Sequence, residues 1–410
     1  MSWQQIPCET ETRPDARGLV RLGSPDALSW SRWQGRVSCV YIDPPFYTGE
    51  LFCLNQRVGE AGWKTGRRTV KLQAYSDRFE SREAYLALIR TLAQAARGLL
   101  SDEGALFVHV DTRADAHVRL LLDELFNERN FVNQIIWAYQ SGGRSTKYYS
   151  RKHDVIFFYR KTGKLHFDIT HVPISRGENR QNHMRRTVDE NGRPCRTIRS
   201  GGKTYFYYDD DPVYPSDVWA DVSHLQQKDP QRTGYDTQKP ESLLRRVLLP
   251  VTEPDDIVAD LCCGSGTTAV AAALTGRRFV VCDIGKPAIA VTRKRLVSQG
   301  IPFDLEAPCR TEPAKASVRI YPGIAFADVC LTDFTPPEPW PDGVTGLDGV
   351  DQWSVGTVEH GVFRACDDAA RTQKDPALPP SLQIPLLSGT PAVLVTDILG
   401  NRYCFACRDD

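Results

Sequence analysis

Val37-Ser38-Cys39-Val40-Tyr41-Ile42 runs directly into Asp43-Pro44-Pro45-Phe46-Tyr47-Thr48-Gly49, and few backbones accommodate that junction. The first six residues are mostly apolar and β-favouring, the pattern of a buried strand. Pro44 has no N–H and biases Asp43 away from the α region, and Pro45 stiffens the turn further. A strand is therefore predicted to end in an acidic side chain and two fixed carbonyls, with an aromatic ring next. In open α/β sheets that end of a strand is where ligands bind. Asp43 and the Pro44 carbonyl can accept hydrogen bonds from an amino group, and Phe46 can stack on a flat ring.

A second strand-to-turn junction lies far downstream, at Asp256-Ile257-Val258-Ala259-Asp260-Leu261-Cys262-Cys263-Gly264-Ser265-Gly266-Thr267-Thr268-Ala269. Glycines let a backbone approach a ligand, and the small residues of the helix predicted from Ala269 to Leu274 pack tightly on a sheet. Phe279 to Asp283 is a further strand ending in an acid, placed to accept from ribose hydroxyls. By pattern alone Gly264-x-Gly266-x-x-Ala269 fits a dinucleotide fingerprint, with Asp283 seventeen residues past Gly266. It is not a phosphate-binding loop of the Lys-bearing kind. An adenosine moiety is implied either way.

Between these junctions strands and helices alternate, which argues for an α/β fold. Helices are predicted over 81–100 and 114–126, strands over 105–110, 132–139 and 155–160. His109 reads as a core or rim residue rather than a ligand. Residues 1–18 read as a loosely docked lead-in with neither the basic start nor the apolar core of a signal peptide. Residues 47–79 read as a long polar loop of the functional kind, and Ser24-Pro25 as a helix start. Residues 303–317 read as a linker.

The formal net charge of zero hides an asymmetry. Residues 141–208 hold 15 Lys and Arg against 5 Asp and Glu, whereas residues 321–410 hold 5 against 13. The basic stretch is interleaved with aromatics, which favours a polyanion partner. The acidic tail carries 10 of the 27 prolines and short β-rich runs, so a small β domain is expected there. No run of eighteen apolar residues exists, so no membrane helix is expected. The twelve scattered cysteines suit reduced thiols in a cytoplasmic protein. Only Cys404-x-x-Cys407 has ligand spacing and no second pair completes it, so no metal is expected.

Asp43-Pro44-Pro45-Phe46 resembles the Asp/Asn/Ser-Pro-Pro-Tyr/Phe motif of DNA amino-methyltransferases, and Thr237-Gln238-Lys239-Pro240 resembles their Thr-Gln-Lys-Pro peptide. The glycine junction, with its leading acid, resembles S-adenosylmethionine enzymes rather than dehydrogenases. The order of the motifs is similar to the permuted β group, and the loops look most like the modification subunits of type III restriction systems. Two departures stand out: Ser24 replaces a usual Asp, and Leu261-Cys262 replaces a usual Pro-Phe.

The resemblance implies a Rossmann-like S-adenosylmethionine-dependent methyltransferase sheet with an inserted target-recognition region and a small C-terminal β-rich domain. The implied divisions are a catalytic part over 19–140, the basic recognition region over 141–235, a cofactor part over 236–312 and the acidic domain over 321–410. The implied activity is methyl transfer to adenine N6 in DNA, since Asp in the first motif position goes with adenine and Ser with cytosine N4. A cytosine N4 enzyme, a silent DNA-binding subunit and an enzyme acting on RNA or protein are the alternatives. The implied catalytic residues are Asp43, Pro44, Pro45 and Phe46. Those implied for the cofactor are Thr237, Gln238, Lys239, Asp260, Cys262, Gly264, Ser265, Gly266, Thr267 and Asp283. Lys147, Arg151, Lys152, Arg185, Arg186, Arg196, Arg199 and Lys203 are the candidates for DNA. The expected partners are double-stranded DNA, with a second copy of the chain and a restriction or helicase subunit as further candidates.

Overall fold

The computed structural model describes residues 2–25, 28–139, 145–174, 185–208, 210–386 and 389–408. Its centre is a run of six parallel strands in the order Asp304–Glu306, Gly18–Leu22, Arg278–Asp283, Ile257–Asp260, Val37–Ile42 and Leu100–Val110. His153–Arg160 then pairs antiparallel with both Leu100–Val110 and Phe131–Ala138, and Val218–Trp219 closes that edge.

Side-chain alternation decides what each face holds. Val37, Val40 and Ile42 pack with Leu106, Val108 and Val110 under the Arg82–Leu99 and Asp115–Phe126 helices. Cys39, Tyr41, Ala105 and Phe107 face the other way, onto the Glu241–Leu248, Thr267–Leu274 and Lys286–Ser298 helices. Ser81 starts the first of these helices by accepting from the Ala84 N–H at 3.1 Å. The chain leaves Val37–Ile42 towards one face and leaves its neighbour Ile257–Asp260 towards the other. A crevice opens between two such departures.

Four expectations are corrected. The loop read over 47–79 is a hairpin of Leu51–Arg57 and Thr69–Ser76 carrying one short helix at its tip, Gly59–Thr65. Its backbone polar groups find strand partners, which a bare loop would leave to water. The 303–317 linker contains a strand of the central sheet, Asp304–Glu306, paired on both sides. The region read as inserted over 141–235 includes His153–Arg160, whose Val155-Ile156-Phe157-Phe158-Tyr159 run is buried on both faces of the central sheet. What stands apart there is a meander of Arg185–Val188, Pro194–Ser200 and Lys203–Tyr208.

The fourth correction concerns the two ends. Ser2–Ile6 pairs antiparallel with Arg402–Arg408, and Thr10–Thr12 pairs with both Val362–Ala370 and Asp304–Glu306. The lead-in therefore joins the central parallel strands to the C-terminal strands in one continuous sheet. The acidic region also begins earlier than 321, with the strand Lys315–Pro322. Its core is Trp353, Phe334, Tyr403 and Phe405.

A buried ionic seam holds this junction. Glu11 accepts from Arg293 at 2.7 Å, from Arg402 at 2.6 Å and from Arg13 at 2.5 Å. Arg293 also donates to Asp368 at 2.9 Å and to Gln352 at 2.9 Å. Lys294, next along the helix, pairs with Asp351 at 2.6 Å. Part of the tail's negative charge is thus consumed internally. The Ser24 helix start borders residues 26 and 27, which lie outside the described residues; a 3₁₀ turn runs over Leu28–Trp33. No helix among the described residues is long and apolar enough to cross a membrane.

Candidate active site

The two junctions meet in one cleft. Asp43, Pro44, Pro45 and Phe46 line one wall, and Asp260, Cys262, Gly264, Ser265, Thr267 and Asp283 line the other, with Thr237 and Lys239 between them. Parallel pairing of Asp260 with Tyr41 sets the two strand ends side by side.

The Asp-Pro-Pro-Phe turn is held from behind by Asp77. Its carboxylate, fully buried, accepts from the Tyr47 N–H at 2.8 Å and the Thr48 N–H at 2.9 Å, and from the Thr48 hydroxyl. Tyr47 adopts φ +59°, a conformation that needs such over-determination. The Tyr75-Ser76-Asp77-Arg78-Phe79 segment is therefore a clamp on the Asp-Pro-Pro-Phe turn.

Lys239 was expected on the cofactor side, yet its ammonium lies on Asp43. Nζ sits 2.8 Å from Oδ1 and 2.6 Å from Oδ2, and 4.8 Å from the centre of the Phe46 ring. Beneath Asp43 runs a buried polar chain. The Tyr41 hydroxyl is 2.7 Å from His109 Nδ1, His109 Nε2 is 3.2 Å from Asp154, and Tyr139 donates to Asp154 at 3.0 Å. His109 Nδ1 lies 4.0 Å from Asp43. Burial pushes the Asp154 carboxyl up, but its bonds to His109 and Tyr139 and the Lys239 charge outweigh this and leave it below the usual range. His109 is thus a satisfied core residue that also abuts the Asp43 turn. A lone His in an apolar strand carries no sign of such partners.

On the opposite wall Asp260 braces the glycine turn, accepting from the Cys262 N–H at 3.0 Å and from the Thr268 hydroxyl. Burial, with the Asp43 and Asp283 charges, pushes its carboxyl up to about 7 against those bonds. Asp283 accepts from the Gly264 N–H at 2.9 Å and the Gly285 N–H at 2.8 Å. Burial raises it as well. Two backbone donors leave about two of the four lone-pair sites of a carboxylate for a ligand.

Two residues assigned to the cofactor face elsewhere. Gln238 turns into its own loop, accepting from the Thr233 N–H at 2.9 Å and donating to the Gln231 carbonyl at 2.7 Å. Gly266, at φ +75°, is needed for packing: a Cβ there would sit 2.6 Å from the Thr292 hydroxyl. Gly264, at φ +49°, does face the cleft, where a Cβ would meet the Tyr235 ring at 3.4 Å.

The sequence reading missed the aromatic wall. Tyr75 stacks on Phe52 at 5.0 Å and on Tyr235 at 6.5 Å, and all three rings line the cleft. They come from the hairpin and from the residues preceding Thr237. These three rings line the same cleft as Leu261-Cys262, where the usual ring is absent. Aromatic residues recurring in the hairpin at Phe52 and Tyr75 were the available signal.

Of the DNA candidates, Arg185, Arg186, Arg196, Arg199 and Lys203 lie on the meander, and Lys147, Arg151 and Lys152 on the segment leading to His153–Arg160. Tyr205, Phe206 and Ile198 are exposed among the meander cations, and Tyr148 and Tyr149 beside Lys147. Two further arginines of the basic stretch, Arg176 and Arg180, lie outside the described residues.

Residues 37–294 match the sequence model of a family described as DNA methylase, which covers the cleft and both motifs. The type II methyltransferase M.BglII of Bacillus subtilis is 27% identical over 215 residues, half of this chain and 54% of that protein. The DNA adenine methyltransferase YhdJ of Escherichia coli K12 is 26% identical, over 51% of this chain and 65% of that one. The EcoPI Mod subunit, a type III restriction-modification protein of Escherichia phage P1, is 26% identical over 44% of this chain and 33% of its own length. The chain thus spans between a third and two thirds of the length of these relatives.

Proposed function

The chain belongs to the DNA methylase family, and on that premise we propose that it transfers a methyl group from S-adenosylmethionine to the N6 amino group of adenine at a specific site in duplex DNA. The observation that carries this reading is the single cleft in which Asp43-Pro44-Pro45-Phe46 faces the glycine turn. The donors and acceptors of the cleft fit the cofactor. Asp283 keeps lone pairs for ribose hydroxyls, Gly264 leaves backbone approachable, and Tyr75 and Tyr235 offer ring faces. The cofactor, when bound, supplies a methyl group already activated on a sulfonium.

The work left to the protein is positioning. The target base must leave the duplex, at a cost of a few kcal/mol. Phe46 stacks on it, while Asp43 and the Pro44 carbonyl accept from its exocyclic amine and turn the nitrogen lone pair outward. Asp43 is an acceptor set beside His109, and the clamp by Asp77 keeps the turn from relaxing. The Asp in the first motif position supports adenine over cytosine. The basic meander, with its exposed aromatics, supports contact with phosphates and bases. A restriction subunit is the partner proposed from the likeness to the EcoPI Mod subunit.

Single-molecule sequencing of DNA from cells expressing the full chain tests this. N6-methyladenine at one short motif is the expected result. N4-methylcytosine would reassign the base, and unmodified DNA beside a folded, cofactor-binding protein would make the chain a silent binding subunit.

A further inference from the structure

We propose that Lys239 occupies the slot of the target amine while the site is empty of a base, and that only a base carrying an exocyclic amine displaces it from Asp43. The inference rests on the methyl-transfer reading of the Asp43 turn. Its observation is that the Lys239 ammonium touches both groups assigned to the base. It bonds both Asp43 oxygens at 2.6 and 2.8 Å and lies 4.8 Å over Phe46. The Lys239 and Asp43 side chains are only 10% and 18% exposed. An ammonium and an arylamine offer the same kind of donor to the same acceptor. The face of Phe46 accommodates a cation or a stacked base, not both at once.

The backbone around Lys239 is tied down, so the side chain is the part free to leave. The Lys239 carbonyl accepts from the Thr267 hydroxyl at 3.1 Å, and Thr267 in turn receives Arg295 at 2.9 Å. Four carbons of flexible stem let the ammonium withdraw into the open cleft. The exchange makes Lys239 a specificity-determining residue acting through Asp43. A base without an exocyclic amine would break the ion pair and return no hydrogen bond, leaving a half-buried carboxylate unpaired. An amine-bearing base returns what it removes.

The test uses the full chain and a duplex bearing the methylation site found by sequencing, with either adenine or an abasic residue at the target position. Affinities are measured for wild type, Lys239→Met and Lys239→Arg. Removing the competitor should raise the adenine-to-abasic affinity ratio by about tenfold in Lys239→Met, the scale of one charge-assisted hydrogen bond. Lys239→Arg should hold the ratio near that of wild type. Lys239→Leu, which likewise carries no donor, replaces Lys239→Met if that variant does not fold. An unchanged or lowered ratio in the neutral variant overturns the proposal. A merely structural lysine would weaken both duplexes alike, which also leaves the ratio unchanged. If Asp43→Ala still methylates, the reading of the turn itself fails; if it is inactive and the ratio does not move, only the role of Lys239 fails.

Discussion

The seam around Glu11 and the cleft wall around Asp43 are both made of charges at hydrogen-bond distance, yet they differ in how many partners each charge has. Glu11 is fully buried and ringed by three guanidiniums, and Arg293 itself reaches Glu11, Gln352, Ser354 and Asp368. Among the described residues Asp43 has one hydrogen-bonded cation, on the wall of a cavity. A saturated network can only be broken, and breaking it leaves an uncompensated buried charge. A pair on a cavity wall can exchange its partner. The difference separates charges that hold the fold from charges that meet a substrate, though both are carboxylates beside cations.

The largest expected effect falls on the cleft side of this comparison. Asp43→Ala should lower methylation by at least about a thousandfold, roughly 4 kcal/mol of barrier. Cofactor affinity and thermal midpoint should stay near those of the wild type, because among the described residues the side chain of Asp43 hydrogen-bonds to Lys239 alone. Calorimetric titration with the cofactor beside a methylation assay checks both halves. Equal losses of cofactor binding and activity would move Asp43 to the structural side.

The seam should answer in the opposite way. Arg293→Met is expected to lose about 3–5 kcal/mol of stability, measured by urea unfolding, with activity retained in whatever fraction folds. Its pH dependence has a definite sign. Burial alone would push the Glu11 carboxyl up, but the Arg293, Arg13 and Arg402 charges hold it well below the usual carboxylate range. A depressed carboxyl contributes stability above its unfolded value, about 4.3, and loses that contribution as pH falls through the folded value. The deficit of Arg293→Met should therefore be full at pH 7 and shrink below about pH 4. A deficit independent of pH would mean that lost packing, not charge, holds the seam.

What the sequence disclosed follows the same division. The strand into Asp-Pro-Pro-Phe, the glycine turn and the helices at Arg82–Leu99 and Glu241–Leu248 were legible because each carries a local pattern: a period, a cap or a breaker. The seam was not, because Glu11 and Arg293 lie 282 residues apart and neither is unusual beside its neighbours. The lead-in looked frayed for a related reason: Ser2–Ile6 finds its partner at the far end of the chain. In the site, residue types marked the Asp43 turn, but the Lys239 contact depended on the crossing of two distant loops. Gln238 and Gly266 belong to recognisable motifs, and only packing reveals that one folds its own loop and the other makes room for Thr292.

The two glycines of the turn carry the comparison down to single methyl groups. Gly266→Ala should cost about 1–3 kcal/mol, from a positive φ and the approach to Thr292, with cofactor affinity per folded molecule little changed. Gly264→Ala should cost about 1 kcal/mol or slightly more for its own positive φ. Its methyl group would press on Tyr235 inside the cleft and weaken cofactor binding directly. Unfolding and cofactor titrations on both variants separate them. Equal cofactor losses would place both glycines in the ligand's path.

The smallest effect concerns the meander, where the same question arises between two adjacent arginines. Arg186 pairs across the sheet with Arg196, and Arg196 with Tyr207, so these three share a face. By the two-residue period Lys203 and Tyr205 lie on that face as well, while Arg185, opposite Thr197, lies on the other. The other face includes buried Cys195, and at its edge Arg193 is already paired with Asp210 at 2.6 Å. The face with three cations and two exposed tyrosines is the better complement to a phosphate backbone. A duplex lying on it would contact Arg186 and miss Arg185. Arg186→Ala should then flatten the dependence of log affinity on log salt by about 0.9, one phosphate contact. Arg185→Ala should leave that slope within error. Both affinities are read on duplex DNA over a range of salt concentrations, since a single condition cannot separate charge from packing. Equal changes in slope would mean that the duplex wraps the meander rather than lying on one face, and Arg199, across the sheet from Thr204 on the Arg185 side, would become the next residue to replace.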